Sequence, residues 1–298
     1  MPILATPFDQ SGALDRVGLR RVTEFQLEAG VTGVAVFGMA SEGYALTADE
    51  RVAILNDVRD VVAGAVPVIA GVNATSTVTA VEQARAAEAG GADVLMVIPP
   101  YMVKPPASGI PSFYADVAAS TGLEVMVQDA PIMTGVPMSP QLIAELSRIE
   151  GVTSVKVEAP PTLPKVEQVV RAVAEQPDFV VIGGQNAQFA LDEYERGSVG
   201  TMPACEFSDM LAPVLAAWEA GQHSDARREF QRLLPLILFG LQSGLAWAVH
   251  KEVLVARGII EHAYVRFPAS PLDPRSRKSL ESILETLDVP KLPGAKAA

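Results

Sequence analysis

The chain has 298 residues, 49% hydrophobic and 19% charged, which predicts a sizeable buried core and excludes a disordered chain. The formal net charge is -12, so phosphate backbones are repelled; with no basic stripe in the sequence, nucleic acid is not expected as a partner, and an anionic substrate needs local donors. The single cysteine, Cys205, permits no disulfide within the chain and fits a reducing, cytoplasmic compartment.

The opening run Met1 to Phe8 has neither a basic n-region nor a long apolar h-region, and reads as a strand rather than a signal peptide. From there short β-branched runs alternate with helical periodicity. Strands are expected at Ile3 to Thr6, Val34 to Gly38, Val66 to Gly71, Val94 to Pro99, Leu123 to Gln128, Val152 to Glu158, Phe179 to Gly183 and Ser198 to Pro203. Their nearly continuous apolar character predicts a parallel sheet buried on both faces. Helices are expected at Asp15 to Ala29, Ala48 to Val62, Ser76 to Ala89, Pro140 to Ile149 and Leu163 to Ala174. Thr47 and Glu50 have capping-box spacing, and Gly30, Gly90 and Gly197 stand where a helix ends.

Eight strands alternating with helices predict an α/β fold of the (β/α)8 TIM-barrel type. A doubly wound open sheet is the rival, weakened because no dinucleotide-binding glycine fingerprint follows the first strand. After about residue 206 the strand signal stops. Asp209 to Ala220, Asp225 to Leu241, Leu245 to Arg257 and Pro274 to Leu287 read as helices, so residues 207–298 are expected to form a C-terminal helical subdomain on a barrel of residues 1–206. The most apolar stretch, Leu233 to Trp247, is interrupted by Pro235, two glycines, Gln242 and Ser243. It predicts buried helices with a break, not a membrane span. The tail from Lys291 to Ala298 is expected to fray.

Lys156 is the most informative residue. It lies within Val152-Thr153-Ser154-Val155-Lys156-Val157-Glu158. Strand alternation puts Val155 and Val157 on one face and Ser154, Lys156 and Glu158 on the other, which in a barrel points inward near the C-terminal rim where active sites lie. Lys104, Lys165, Lys251, Lys278, Lys291 and Lys296 read as solvated charges. Burying an ammonium is costly, which biases an inward strand lysine toward its nucleophilic form. The alternative is a buried ion pair with Glu158 that holds the rim and does no chemistry.

Glu158 could shuttle protons or simply neutralise Lys156. Asp129 is a second acid candidate, or a turn residue before Pro131. The loop Gly38-Met39-Ala40-Ser41-Glu42-Gly43 could bring backbone N–H groups to a carboxylate, although glycine-containing loops are common. Gln185 and Asn186 are read as a cap for the next helix, with a reach into a site as the alternative. His223, His250 and His262 all fall in the C-terminal part without metal-ligand spacing, so neither a metal site nor a serine–histidine–acid triad is expected.

Together these segments resemble the dihydrodipicolinate synthase / N-acetylneuraminate lyase family of class I aldolases over nearly the whole chain. The residues that carry the resemblance are Thr6-Pro7-Phe8, Gly38 to Glu42, Val68 to Gly71, Pro99-Pro100-Tyr101, Val155 to Ala159 and Gly183 to Asn186. The resemblance implies a cytoplasmic homotetramer, a dimer of dimers, of (β/α)8 barrels. It implies that Lys156 forms an imine with pyruvate or a related 2-oxo acid, with no other cofactor and no metal. The turn at Met39, Ala40 and Ser41 would hold the carboxylate. Tyr101, Met102, Asp129, Met133, Gly184 and Met202 are the further candidate substrate contacts, and Gln128 and Glu158 join Lys156 as candidate catalytic groups.

Departures from the family pattern shape the expected activity. Gln128 stands where the family carries a proton-relay tyrosine, Met39 and Ala40 replace its threonines, Met102 replaces a second tyrosine, and Pro131-Ile132-Met133-Thr134-Gly135 lacks its arginine. Dihydrodipicolinate synthesis is therefore not expected. The pocket is expected to be more apolar, walled by Met39, Met102, Ile132 and Met133, and suited to a hydrophobic or bulky aldehyde. Glu158, Asp129, Ser41, Tyr101 or a water must move the proton, and Glu158 is favoured. The leading reading is a class I lyase that makes or breaks a carbon–carbon bond. The alternatives are a hydro-lyase on a 2-keto-3-deoxy sugar acid and a non-catalytic binding or regulatory paralogue.

Overall fold

The computed structural model describes residues 1–291, so the tail expected to fray lies outside the described residues from 292 onward. In chain order the elements are α1 (Arg16–Glu28), β1 (Val34–Val36), α2 (Ala48–Val62), β2 (Val68–Val72), α3 (Thr77–Ala89), β3 (Val94–Val97), α4 (Ile110–Ala118), β4 (Glu124–Asp129), α5 (Pro131–Thr134), α6 (Pro140–Leu146), β5 (Val152–Val157), α7 (Thr162–Ala172), β6 (Val180–Gly183), α8 (Ala190–Tyr194), α9 (Ser208–Glu219), α10 (His223–Phe239), α11 (Ala246–Ala256) and α12 (Pro274–Leu287). Contacts group the chain into two compact units, Met1 with Pro67–Pro203, and Pro2–Val66 with Ala204–Ala298. No helix among the described residues is long and apolar enough to cross a membrane.

In the first unit β2 to β6 pair in parallel, each beside its sequence neighbour. A doubly wound sheet reverses its strand order at a switch point; this order does not reverse, and the rival architecture falls. The expected eighth strand is reduced to a single bridge from Thr201 to Gly183. Its ladder with β6 is nonetheless hydrogen-bonded, from Val199 N–H to Val181 O (3.0 Å), Gly183 N–H to Gly200 O (2.9 Å) and Met202 N–H to Gly183 O (3.1 Å). The strands are buried on both faces, with Leu95, Val97, Val125, Val127, Val155 and Val181 on one and Met96, Met126, Ser154 and Ile182 on the other. Helix α3 packs through Ala80, Ala84 and Ala87, a one-face spacing of small residues that lets its backbone approach closely.

Strand register sorts the site residues. Gln128, Lys156 and Ile182 lie in one cross-strand row, and Asp129, Val157 and Gly183 in the next. Adjacent rows point to opposite faces. The Asp129 row meets α7 and α8. There the Glu193 carboxyl of α8 fills the space a side chain on Gly183 would take, since a Cβ built on Gly183 would lie 1.8 Å from Glu193 Oε2.

In the second unit Ile3 bridges both Ala35 and Ala204 in parallel, so the expected first strand is reduced to two bridges at one residue, with flanking bonds. The Thr47–Glu50 capping box at α2 is present in both directions. Gly30 and Gly197 take the left-handed conformation after their helices, with φ of 73° and 93°, whereas after α3 it is Gly91 (80°) rather than Gly90 that does so. The four C-terminal helices form as expected, and the break between α10 and α11 falls inside the Leu233 to Trp247 stretch. Buried Arg257 ties them together by donating to Glu206 O (2.7 Å) and to both Asp209 carboxylate oxygens (2.8 and 2.6 Å).

Burial, and then repulsion from Glu158 and Asp192, pushes the Glu193 carboxyl up to about 8 from its ordinary 4.5. An unfolded chain loses this proton near pH 4.5 while the folded chain keeps it to about 8. The folded state therefore binds the extra proton across that window, and its stability falls as pH rises through it. Glu193→Gln, neutral throughout, should remove the slope. Between pH 5 and pH 8 the stability difference should move in favour of the variant by about 3 kcal/mol, read from urea unfolding at both values. An equal difference at the two values would refute the buried neutral acid.

Candidate active site

Lys156 is 3% exposed and its Nζ lies 3.2 Å from Glu158 Oε1. The two share one face of the chain at the end of β5, as alternation requires. Glu158 is held from two further directions. Gln128 Nε2 donates to its Oε2 (2.7 Å), and the Gln185 N–H donates to its Oε1 (3.1 Å). Gln185 also donates through Nε2 to the Glu158 carbonyl (2.7 Å). The Glu158 side chain crosses directly over Gly184, where a Cβ would lie 2.4 Å from Glu158 Cγ. Glycine at 184 is therefore a packing requirement of the acid.

The segment that places Gln185 is strained. Gln185, Asn186 and Ala187 adopt φ of 46°, 55° and 62° in succession, a left-handed run that non-glycine residues avoid at about 1–3 kcal/mol each. Neither Gln185 nor Asn186 serves as a side-chain helix cap here. Gln185 instead bonds Glu158 through its N–H and its side-chain amide, which corrects the expectation of a helix cap. Its absence from the expected site residues has a plain cause. The available signal was the Gly183-Gly184 pair, which marks a close approach without saying what approaches.

Gln128 is fully buried beside Lys156, and its Oε1 has no hydrogen-bond partner among the described residues. With Nε2 committed to Glu158, the amide leaves one acceptor free beside the amine. An amide so oriented accepts from a hydroxyl or a water, as a buried orphan acceptor demands.

Asp129 is placed elsewhere. It lies in the row facing α7, 3.0 Å from Lys165 Nζ, and burial pushes its carboxyl upward with Lys165 opposing the shift. It is not brought to Lys156. Lys165, expected as a solvated charge, is instead a half-buried partner to that acid and also donates to Met138 O. Met102 and Met133 are 75% and 54% exposed. Tyr101 is half-buried, while Met202 is buried and bonded through its N–H to Gly183 O (3.1 Å).

In the second unit, residues Met39–Ser41 form a single 3-10 turn. Ser41 is 1% exposed, and its Oγ has no partner among the described residues. The Met39 and Ala40 N–H groups have no acceptor among the described residues. Such an arrangement offers donors to an anion. Glu42 follows the turn in the left-handed conformation and pairs with Lys251, which is 0% exposed. This corrects the expectation that Lys251 is solvated: sequence periodicity put it on a helix but not on which face. Burial lowers the Lys251 ammonium to about 8, with Glu42 opposing the shift. His250 beside it is also buried, paired with Glu206 at 2.7 Å.

Residues 1–287 match the model of the dihydrodipicolinate synthetase family. The chain is 32% identical to an L-2-keto-3-deoxyarabonate dehydratase from Azospirillum brasilense, over 96% of this chain and 93% of that one. It is 30% identical to a 4-hydroxy-tetrahydrodipicolinate synthase from Pseudomonas aeruginosa, over 97% and 98%. Among solved structures it is similar to the dihydrodipicolinate synthase of Rhodopseudomonas palustris, with a TM-score of 0.89 and 28% identity over 96% of each chain. A prophage protein of the dihydrodipicolinic acid synthase family from E. coli K12, solved in complex with pyruvate, gives a TM-score of 0.87 and 26% identity over 97% of this chain and 98% of that one. With these matches, the parallel sheet without reversal and the four C-terminal helices, the chain is a (β/α)8-barrel lyase that belongs to the dihydrodipicolinate synthetase family.

Proposed function

We propose that Lys156 forms an imine with the keto carbon of a 2-oxo acid, and that the protein uses this imine to remove water from a 2-keto-3-deoxy sugar acid. The observation that carries the reading is the Glu158 carboxylate, 3.2 Å from the Lys156 amine and held by Gln128 and Gln185. An imine withdraws electrons from its carbon, so a proton on the adjacent C3 becomes removable by a carboxylate. Lys156 adds to C2 and a water leaves. Glu158 takes the C3 proton and an enamine forms. As the nitrogen electrons return, a double bond forms between C3 and C4. The C4 hydroxyl departs as water with the proton that Glu158 returns.

One carboxylate can serve both proton steps without the hydroxyl relay that Gln128, Met39 and Ala40 have displaced. The free Gln128 acceptor suits a substrate hydroxyl. Taken by itself, the Met39 to Ser41 turn of the second unit, with its open N–H groups and buried Ser41 hydroxyl, has the donors that an anion needs. The similarity to a 2-keto-3-deoxy sugar acid dehydratase supports dehydration, which therefore moves ahead of carbon–carbon cleavage. Cleavage with an apolar partner is kept as the second reading because Met102 and Met133 present apolar surface. Product analysis separates the two, since cleavage releases pyruvate and dehydration does not.

The test is borohydride reduction in the presence of pyruvate and a panel of 2-keto-3-deoxy sugar acids, read by intact mass. One reduced adduct should form on the wild type and none on Lys156→Ala; an adduct that survives the substitution would remove Lys156 from the chemistry. Glu158→Gln should still trap the adduct while turnover falls by about 10²–10⁴-fold. Unchanged turnover would end its role as the proton carrier. Gly184→Ala, whose Cβ would lie 2.4 Å from Glu158 Cγ, should displace that carboxylate and cost turnover about tenfold or more with trapping retained.

A further inference from the structure

The Gln128 side chain is fully buried, yet only one end of its amide is used. Nε2 donates to Glu158 Oε2 (2.7 Å). That bond also settles which end of the amide is which, because an ionised carboxylate only accepts. Oε1 is then the free end, and it has no partner among the described residues. The neighbours along the strands supply none. Ile182, in the same cross-strand row, and Met126, two residues back on the same face, have no side-chain donor. Between Gln128 and Ile182 the Lys156 amine is paired with Glu158 at 3.2 Å. An acceptor buried in such company costs free energy until a donor arrives.

The proposed reaction calls for an acceptor at one particular stage. Glu158 begins as a carboxylate and becomes a donor once it has taken the C3 proton. The C4 hydroxyl must then receive that proton on a lone pair, so its own hydrogen has to be held by a different acceptor near the same carboxyl. Oε1 belongs to the amide that is bonded to that carboxyl. An amide gives up and takes up no proton near neutral pH, so it can hold the hydroxyl without competing for the proton in transit. The enamine electrons form the C3–C4 double bond, and the C4–O bond breaks with its electrons on oxygen. The proton from Glu158 joins that oxygen, and the departing water keeps the hydrogen that Oε1 accepts.

We infer that Gln128 accepts the C4 hydroxyl of the substrate through Oε1 and so selects 2-oxo acids that carry a hydroxyl at C4 over those that do not. This rests on the imine reading given above. It draws only on Gln128, Lys156 and Glu158, which neighbour one another on β4 and at the end of β5. A site built to hydrogen-bond a hydroxyl rejects the analogue that lacks it, because the buried partner is then left unpaired. An apolar side chain at position 128 carries no such acceptor, so the discrimination disappears with the amide.

The test compares 4-hydroxy-2-oxopentanoate with 2-oxopentanoate, which differ only in that hydroxyl. The readout is the half-saturating concentration for total borohydride-reduced adduct on Lys156, by intact mass. The wild type should trap the hydroxylated ketone at a concentration lower by about tenfold or more, the worth of one hydrogen bond to a buried acceptor. Gln128→Met should bring the ratio of the two values to within about twofold of one. A glutamine that merely holds Glu158 would shift both ketones together and leave the ratio as it was, and that result overturns the inference. Should Gln128→Met fail to fold by circular dichroism, Gln128→Leu is held to the same outcomes. Should both fail, the wild type decides: a ratio near one overturns the inference and a ratio of about tenfold sustains it. A wild type that traps neither ketone overturns the imine reading and this inference with it. A wild type that traps both equally well overturns only the inference.

Discussion

Everything proposed for this chain depends on one buried ion pair at the end of a strand, the Lys156 amine and the Glu158 carboxylate 3.2 Å apart. Neither ion could be kept there alone, because each loses several kcal/mol of hydration. Their attraction at an effective dielectric near 20 is about 5 kcal/mol, which offsets part of that loss. The remainder falls to the hydrogen bonds from Gln128 and Gln185. Holding the rim and doing chemistry are therefore not exclusive roles. The contact that makes the lysine tolerable also puts a proton acceptor beside the carbon that an imine would activate.

The same economy explains the glycine pair and the strained run after it. Gly184 lies under Glu158, and Gly183 lies against Glu193 on the opposite face. Two successive residues without side chains let two carboxyls approach one strand end from its two sides. The left-handed Gln185 to Ala187 segment then turns the Gln185 amide back onto Glu158. Local strain of this kind is stable only where the surrounding contacts leave no alternative.

Much of the fold was legible in the sequence. The β-branched runs with buried character on both faces predicted parallel strands, and the observed β2 to β6 fall on them. The helix caps at Thr47 and the C-terminal helices were legible for the same reason: capping chemistry and 3.6-residue periodicity act within a few residues of the chain. The first and last expected strands formed only as isolated bridges with flanking hydrogen bonds, because the length of a strand depends on its neighbours as well as on its own composition. In the site, alternation along one strand was enough to put Glu158 beside Lys156. It was not enough for Asp129, which follows Gln128 directly and so points to the other face, where Lys165 meets it.

By itself the sequence determined the strand-borne lysine, its acid two residues on and the run of parallel strands. These are local or pattern properties, carried by spacing along one element. The tertiary structure decided which charges are buried together. Lys251 with Glu42, Lys165 with Asp129, and Gln185 on Glu158 are pairs separated by many residues. A lysine on a helix looks the same in sequence whether its face meets water or a carboxylate. Only packing fixes that choice, because desolvation and pairing are properties of the space around the charge.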